Sequence, residues 1–70
     1  MSKHSQAKKL INLMTEFATV KADDRFTVSE IRHLAEKSKI NTGSLQSIIE
    51  ALNDQGFLIK KGRQLYQIQT

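Results

Sequence analysis

The fold of this chain is decided by its C-terminal stretch, residues 56–70, which reads GFLIKKGRQLYQIQT. Phe57 and Ile59, and again Tyr66 and Ile68, lie two positions apart, the period of a β-strand rather than of a helix. We predict a hairpin with a two-residue turn at Gly62 and Arg63, because glycine readily adopts the positive φ that such turns require. The facing pairs in this register are Ile59 with Tyr66 and Phe57 with Ile68. These four residues would form the buried face, with Leu58 and Leu65 on the opposite face.

A first helix is predicted from Ser5 to Val20, where apolar residues recur at spacings of three and four. The residues of this stripe are Ala7, Leu10, Ile11, Met14, Phe17 and Ala18. Residues 21–25 have no apolar period and are predicted to form a loop. We expect Phe17, like Phe26 and Phe57, to lie in the core.

A second helix is predicted to begin at a capping box formed by Thr27 and Glu30. The Thr27 hydroxyl can accept a hydrogen bond from the Glu30 amide, and the Glu30 carboxylate can accept one from the Thr27 amide. Phe26 and Ile31 flank the box at the spacing of a hydrophobic staple. The buried stripe would be Val28, Ile31, Leu34 and Ala35. The cations of segment 37–39 suit the C-terminus of this helix.

A third helix is predicted after a short turn, with Asn41 as its N-cap and Ile40 and Leu45 in staple positions. Its apolar stripe consists of Leu45, Ile48, Ile49 and Leu52. Gly56 is well placed to end the helix in the left-handed conformation.

The order helix, helix, short turn, helix, hairpin predicts an α+β, mainly α fold, a winged helix-turn-helix with a C-terminal β-hairpin wing. We expect one domain over residues 1–70, with residues 1–4 flexible or derived from the preparation of a fragment. The segment around Phe26 could add a short third strand. The competing fold is a three-helix bundle with a disordered tail, and the alternation in the hairpin segment argues against it.

The composition fits a small folded domain, with 39% hydrophobic and 26% charged residues among 70 and a mean hydropathy of -0.43. The absence of cysteine excludes disulfides, thiolate zinc sites and thiol nucleophiles, and fits a reducing compartment. We expect neither a signal peptide nor a membrane span. The net charge of +4 makes polyanions plausible partners.

The terminal block LNDQGFLIKKG at 52–62, followed by YQIQT at 66–70, resembles the extreme C-terminus of the minichromosome maintenance family of DNA helicases. The similarity is closest to the eighth paralogue of that family. SQAKK at 5–9, together with Ile11, resembles the start of that paralogue's terminal domain. Between residues 15 and 47 only the apolar pattern matches, so the resemblance covers nearly the whole chain with its specific residues near the two ends.

The resemblance implies a nuclear, hexameric, ATP-driven helicase whose eighth paralogue works with the ninth in homologous recombination and crosslink repair. The sequence itself contains no G-x-x-x-x-G-K-[ST] phosphate loop and no cysteine for the zinc site of that family. We therefore expect a non-catalytic appended domain without a cofactor, monomeric in isolation, whose partners are DNA, the parent motor and its subunits, with no membrane.

The best candidate for DNA binding is the wing, where Lys60, Lys61 and Arg63 lie at a hairpin tip and could contact phosphates. The alternative is that charged hairpin tips merely keep an edge strand soluble. At the start of the third helix, Asn41, Thr42 and Ser44 could contact phosphates or bases, or Asn41 and Thr42 could act as caps only.

The N-terminal cations Lys8 and Lys9, next to Lys3 and His4, form a basic start to the first helix. They could contact DNA, or they could be a solvated terminus. His33 should be exposed on the second helix, and with His4 it has no third ligand that would indicate a metal site. Tyr66 could stack on a base, but its strand position favours the core.

The outer stripe of the third helix includes Ser47, Glu50 and Asp54 and holds no cation. Carboxylates repel phosphate, so reading of the major groove by this helix is not expected. Two functions from different classes follow: weak DNA binding through the wing, largely independent of sequence, or recruitment of a partner subunit or loading factor through this acidic stripe.

Overall fold

The structure, a computed structural model, describes residues 3–40 and 42–69. The described residues form three helices, one 3-10 turn and three strands. In chain order these are α1 (Lys3–Lys21), β1 (Arg25–Thr27), α2 (Val28–Lys37), the 3-10 turn Thr42–Ser44, α3 (Leu45–Asp54), β2 (Leu58–Gly62) and β3 (Leu65–Ile68). This arrangement confirms the mainly helical α+β, winged-helix class. No helix in the described ranges has the length and apolar character needed to cross a membrane.

The three strands form one antiparallel sheet in the order β1-β3-β2. The short strand expected around Phe26 is therefore confirmed as β1, with Phe26 opposite Tyr66. Backbone bonds extend the β1–β3 pair at both ends, from Val28 N to Gln64 O and from Ile68 N to Asp24 O. The hairpin is thus bonded to the segment between α1 and α2 as well as to itself.

The predicted hairpin register is wrong by one residue. Leu58 pairs with Ile68 and Lys60 with Tyr66, and the turn is formed by Arg63 and Gln64 rather than by Gly62 and Arg63. A bulge between Lys60 and Gly62 absorbs the extra residue. A one-residue shift turns each side chain of a strand to the opposite face. Leu58 is therefore buried, and Phe57 and Ile59, which were predicted to be buried, are exposed.

The core lies between the helices and the inner face of the sheet. Its buried residues are Ala7, Leu10, Ile11, Met14, Phe26, Ile31, Ala35, Ile40, Leu45, Ile48, Ile49, Leu52, Leu58, Tyr66 and Ile68. The stripe predicted for α3 and the burial of Phe26 and Tyr66 are confirmed, whereas Ala18, Val28 and Leu34 of the other two stripes are only partly buried against the core. The core assignment of the two other phenylalanines is wrong, because Phe17 is 39% and Phe57 46% exposed. No polar or charged residue is buried within the described part of the chain.

The predicted capping box is confirmed at the start of α2. The Glu30 amide donates to the Thr27 hydroxyl at 3.1 Å, and the Thr27 amide donates to Glu30 Oε1 at 3.0 Å. Phe26 and Ile31, the predicted staple, are both fully buried.

The third helix begins later than predicted. The segment Thr42–Ser44 forms a 3-10 turn, and the α-helix starts at Leu45 with Ser44 as an N-cap that makes no side-chain capping bond. The predicted cap, Asn41, lies outside the described residues. A tight 3-10 turn commonly precedes a helix because its shorter bonds satisfy backbone groups that the first α-turn leaves free.

All three helices end in the same way, with one residue in the left-handed region. These residues are Ala22 (φ 56°), Lys39 (φ 60°) and Gly56 (φ 86°). After each of them the next amide donates back into the helix: Asp23 N to Ala18 O, Ile40 N to Ala35 O and Phe57 N to Leu52 O. These bonds define Schellman motifs and confirm the predicted role of Gly56.

Candidate nucleic-acid interface

The β2–β3 hairpin forms the wing, whose tip carries the predicted cations Lys60, Lys61 and Arg63. All three side chains are exposed. None of them forms an ion pair with a carboxylate of the described ranges. Lys61 lies at the bulge between Lys60 and Gly62, which interrupts the regular pairing of β2 with β3. The structure therefore places three cations that lack ion pairs to described carboxylates on a short, solvent-exposed ribbon, where they could contact phosphates.

Two other cations are already used inside the domain. Lys21, at the end of α1, donates from Nζ to Glu30 Oε2 and to the Arg25 carbonyl oxygen, each at 2.7 Å. The same Nζ lies 4.3 Å from the centroid of the Phe26 ring, within cation–π range. Arg25 pairs with Asp23 at 3.6 Å between exposed side chains.

Hydrogen bonds at the junction of α1, β1 and α2 lower the pKa of two carboxyl groups. The hydrogen bond from Lys21, followed by that from the Thr27 amide, lowers the pKa of Glu30. The hydrogen bond from the Arg25 amide lowers the pKa of Asp23. Lys21 ends α1 instead of beginning the predicted loop. Its bond to Glu30 was not predicted, because their nine-residue separation matches no helical or strand period.

The outer face of α3 matches its prediction. Ser47, Glu50 and Asp54 are exposed, and neither carboxylate pairs with a described cation. Of the residues proposed at the start of this helix, Ser44 is half-buried at the N-cap, whereas Asn41 and the side chain of Thr42 lie outside what the structure describes. The face therefore offers negative charge and a hydroxyl to a partner.

Lys8 and Lys9 are both exposed on α1, but they differ in their contacts. Lys9 Nζ donates to the Ser38 carbonyl at 3.3 Å and so contacts the C-terminal turn of α2. No ion pair joins Lys8 to a described carboxylate. The side chains of Lys3 and His4 lie outside the described residues.

His33 is exposed on α2, as predicted. The described ranges contain no group of three or more His, Asp or Glu side chains that could hold a metal ion. Tyr66 is buried between β1 and β2, which removes it from the candidate interface.

Two apolar residues at the base of the wing are exposed, which was not predicted. Phe57 immediately precedes β2, and Ile59, 37% exposed, follows on the same side of the strand. The signal was present in the run Phe57-Leu58-Ile59, because three consecutive apolar residues of a strand cannot all face one core. Either the outer pair or the central residue had to be exposed.

Comparison with known families decides what kind of winged helix this is. The sequence model of the MCM8 winged helix domain matches residues 1–70. The chain belongs to the MCM8 winged helix domain family. The resemblance to the eighth paralogue of the minichromosome maintenance helicases is thereby confirmed.

Curated relatives of this MCM8-type domain come from animals and plants. The chain is 40% identical to DNA helicase MCM8 of Gallus gallus and 36% identical to DNA helicase MCM8 of Homo sapiens, in each case over all 70 residues and 8% of the relative. It is 34% identical to the probable DNA helicase MCM8 of Oryza sativa, again over its full length and 9% of the relative. The chain thus spans less than a tenth of the proteins it matches.

Proposed function

We propose that this MCM8-type winged helix binds DNA weakly and without strong sequence preference through its wing, and so assists or regulates the helicase that carries it. The observation that supports the proposal is the set of three exposed cations, Lys60, Lys61 and Arg63, without ion pairs to described carboxylates. Contacts to phosphate carry no base information, so such a wing would bind different sequences alike.

The face of α3 supports the same conclusion by exclusion. A winged helix that reads sequence places its recognition helix in the major groove, usually with arginine or lysine on the bases. Here that face presents Glu50 and Asp54 instead. Phosphate would repel both carboxylates, so contact through the wing rather than through this face of α3 is favoured.

The wider setting follows from the relatives, which are DNA helicases. We extend the proposal to a nuclear helicase acting in DNA repair by homologous recombination, with the ninth paralogue as its partner subunit. The chain itself is the non-catalytic part in this proposal, because its sequence has no phosphate-loop motif.

The decisive experiment is a DNA titration of the chain carrying Lys60→Ala, Lys61→Ala and Arg63→Ala. We expect affinity for duplexes of unrelated sequence to fall about ten-fold or more at low salt, and the salt slope to fall by up to about 2.7, roughly 0.9 per lost phosphate contact. In the unsubstituted chain, DNA should shift the amide resonances of residues 60–63. Unchanged affinity in the triple variant would refute the proposal.

A control variant that loses the same number of positive charges elsewhere distinguishes the effect of the wing position from the effect of a lower net charge. Arg32→Ala, Lys37→Ala and Lys39→Gly together remove three exposed cations of the α2 region, and glycine suits the left-handed φ of Lys39. We expect this control to retain most of the DNA affinity. An equal loss in both variants would show that overall charge rather than the wing is responsible.

A second candidate function is supported by the acidic face of α3, defined by Ser47, Glu50 and Asp54. Exposed carboxylates without described cations could dock on a basic partner subunit or loading factor. Glu50→Lys with Asp54→Lys should then abolish that complex while DNA affinity stays equal or rises. Loss of DNA binding in this variant would contradict the assignment of the two surfaces.

A further inference from the structure

A cavity of about 330 Å³ lies between α1, α3 and the start of β2. Its apolar lining includes Ile11 of α1, Leu52 of α3 and Phe57. The volume is at the small end of ligand sites in proteins, roughly 300–1,000 Å³. Because Phe57 is 46% exposed, much of its surface is accessible to a ligand.

Polar side chains of a particular kind complete the lining: Lys8 and Asn12 from α1 and Gln55 after α3. All three are exposed. Side-chain amides of asparagine and glutamine can donate to and accept from the edge of a nucleobase. A lysine at the same opening supplies a positive charge for a phosphate.

The charge of this cavity distinguishes it from two other cavities of the described surface. One of those includes Asp23 and Asp24 in its lining, and the other includes Glu30. The cavity at Phe57 is lined by a cation and by no described carboxylate. Of these three cavities, the one at Phe57 is therefore complementary in charge to a polyanion, and its apolar lining suits planar, apolar groups.

We propose that this cavity binds an unpaired base of single-stranded DNA, stacked on Phe57, while the phosphates of that strand contact Lys8 and the wing. The inference rests on the proposed function and names the DNA form that the domain prefers. Sequence-tolerant binding of single strands combines aromatic stacking with a basic surface, and both elements are present here.

The position of the wing fits this path. β2 runs five residues from Leu58 to Gly62, a length of about 17 Å at roughly 3.3 Å per residue. Ile59 adds an exposed apolar contact between the two ends. One short strand of DNA could therefore reach both the Phe57 cavity and the wing cations.

Phe57 also has a structural role that the test must separate from stacking. It follows Gly56 in the Schellman motif, where an apolar residue commonly packs on the residue corresponding to Leu52. Leucine at position 57 preserves such an apolar contact but has no aromatic face. Tryptophan preserves the face and, because the chain has no other tryptophan, adds a unique fluorophore.

The experiment measures binding of the 70-residue chain to a labelled oligothymidine and to a blunt duplex of equal length at low salt. We expect Phe57→Leu to weaken single-strand binding by roughly five-fold or more and to leave duplex binding unchanged. Phe57→Trp should bind the single strand like the unsubstituted chain, with its fluorescence quenched by oligothymidine but not by the duplex. Urea unfolding of both variants checks that the fold is kept.

The outcomes separate this inference from the proposed function. If Phe57→Leu binds the single strand as tightly as the unsubstituted chain, or if it loses affinity equally for both DNA forms, the base site is refuted. The wing triple variant reports on the proposed function independently, since it should lose affinity for both forms. A matched pair adds a check: Lys8→Ala should weaken single-strand binding more than Lys37→Ala, and equal effects would refute the role of Lys8.

Discussion

Two regions of the domain each contain a lysine and a phenylalanine but differ in how these residues are buried and paired. One region is the junction of α1, β1 and α2, and the other is the wing. At the junction, Lys21 lies over the buried ring of Phe26 and donates to Glu30 and to a backbone carbonyl. At the wing, Lys60 and Phe57 are exposed, and Lys60 has no ion pair with a described carboxylate. The comparison shows that tertiary position, not residue type, decides whether a cation and an aromatic ring stabilise the fold or remain available to a ligand.

The largest expected effect is the difference in stability between substitutions of Phe26 at the junction and of Phe57 beside the wing. Phe26→Ala should destabilise the domain by about 3–5 kcal/mol, because it empties a fully buried site. For a domain of this size that loss is comparable with the whole free energy of unfolding. Phe57→Ala should cost about 1 kcal/mol or less, since its side chain is half exposed already. Urea unfolding measures both, and similar losses would contradict the comparison.

The two lysines give a matched pair with a smaller effect. Lys21→Met keeps the apolar stem but removes the donors to Glu30 and to the Arg25 carbonyl, so we expect a loss of about 1–2 kcal/mol. Lys60→Met should change the free energy of unfolding by no more than about 0.5 kcal/mol and should weaken DNA binding instead. Chemical denaturation and a DNA titration of each variant test whether Lys21→Met lowers stability while Lys60→Met lowers DNA affinity. Destabilisation by Lys60→Met would show that the wing cation has a structural role.

The helix ends that lead into the two regions give opposite predictions. α1 enters the junction through Ala22 at φ 56°, whereas α3 enters the wing through Gly56 at φ 86°. Ala22→Gly should stabilise the domain by about 0.5–1 kcal/mol, and Gly56→Ala should destabilise it by about 1 kcal/mol, because a Cβ is disfavoured in the left-handed region. Apart from its chain neighbours, no described residue has an atom within 4 Å of a Cβ at Gly56, so this substitution tests backbone strain alone. Thermal unfolding with the same sign for both variants would contradict this account.

The smallest expected effect is the pH dependence of the junction. Hydrogen bonds from Lys21 and Thr27 lower the pKa of Glu30 in the folded state, so the unfolded chain binds the proton more readily. The resulting stabilisation is fully present above the unfolded pKa, near 4.5, and is lost as pH falls through the lower folded value. Glu30→Gln should flatten the decline of stability in acid. The change should be modest, because the carboxylate is partly exposed and solvent screens the interaction.

A substitution in the wing provides the control for that measurement. Lys61→Gln removes a charge that has no ion pair with the described carboxylates, so the acid limb of its stability curve should match that of the unsubstituted chain. Asp23, whose pKa is also lowered by the Arg25 amide, should leave a residual pH dependence in the Glu30→Gln variant. If Glu30→Gln left the pH dependence of stability unchanged, the proposed role of the bond from Lys21 would be contradicted.

Much of the fold could be predicted because its signals are local. The capping box of Thr27 and Glu30, the left-handed Gly56 and the apolar stripes all depend on residues within a few positions of each other. The candidate site was predicted in part: the exposure of the wing cations and of Glu50 and Asp54 is confirmed. The exposure of Phe57 was not predicted, and the cavity beside it brings together residues from both ends of the chain.

By itself, the amino-acid sequence determined where helices form, how they end and that a strand pair follows them, since these depend on hydrogen bonds and spacings within one segment. Only the tertiary structure decided the register of the hairpin. Strand alternation allows either Leu58 or its two neighbours to face inward, and packing against α3 together with the bonds from β3 to β1 selects Leu58. The same selection exposes Phe57 and Ile59, because side chains of neighbouring strand residues must lie on opposite faces of the sheet.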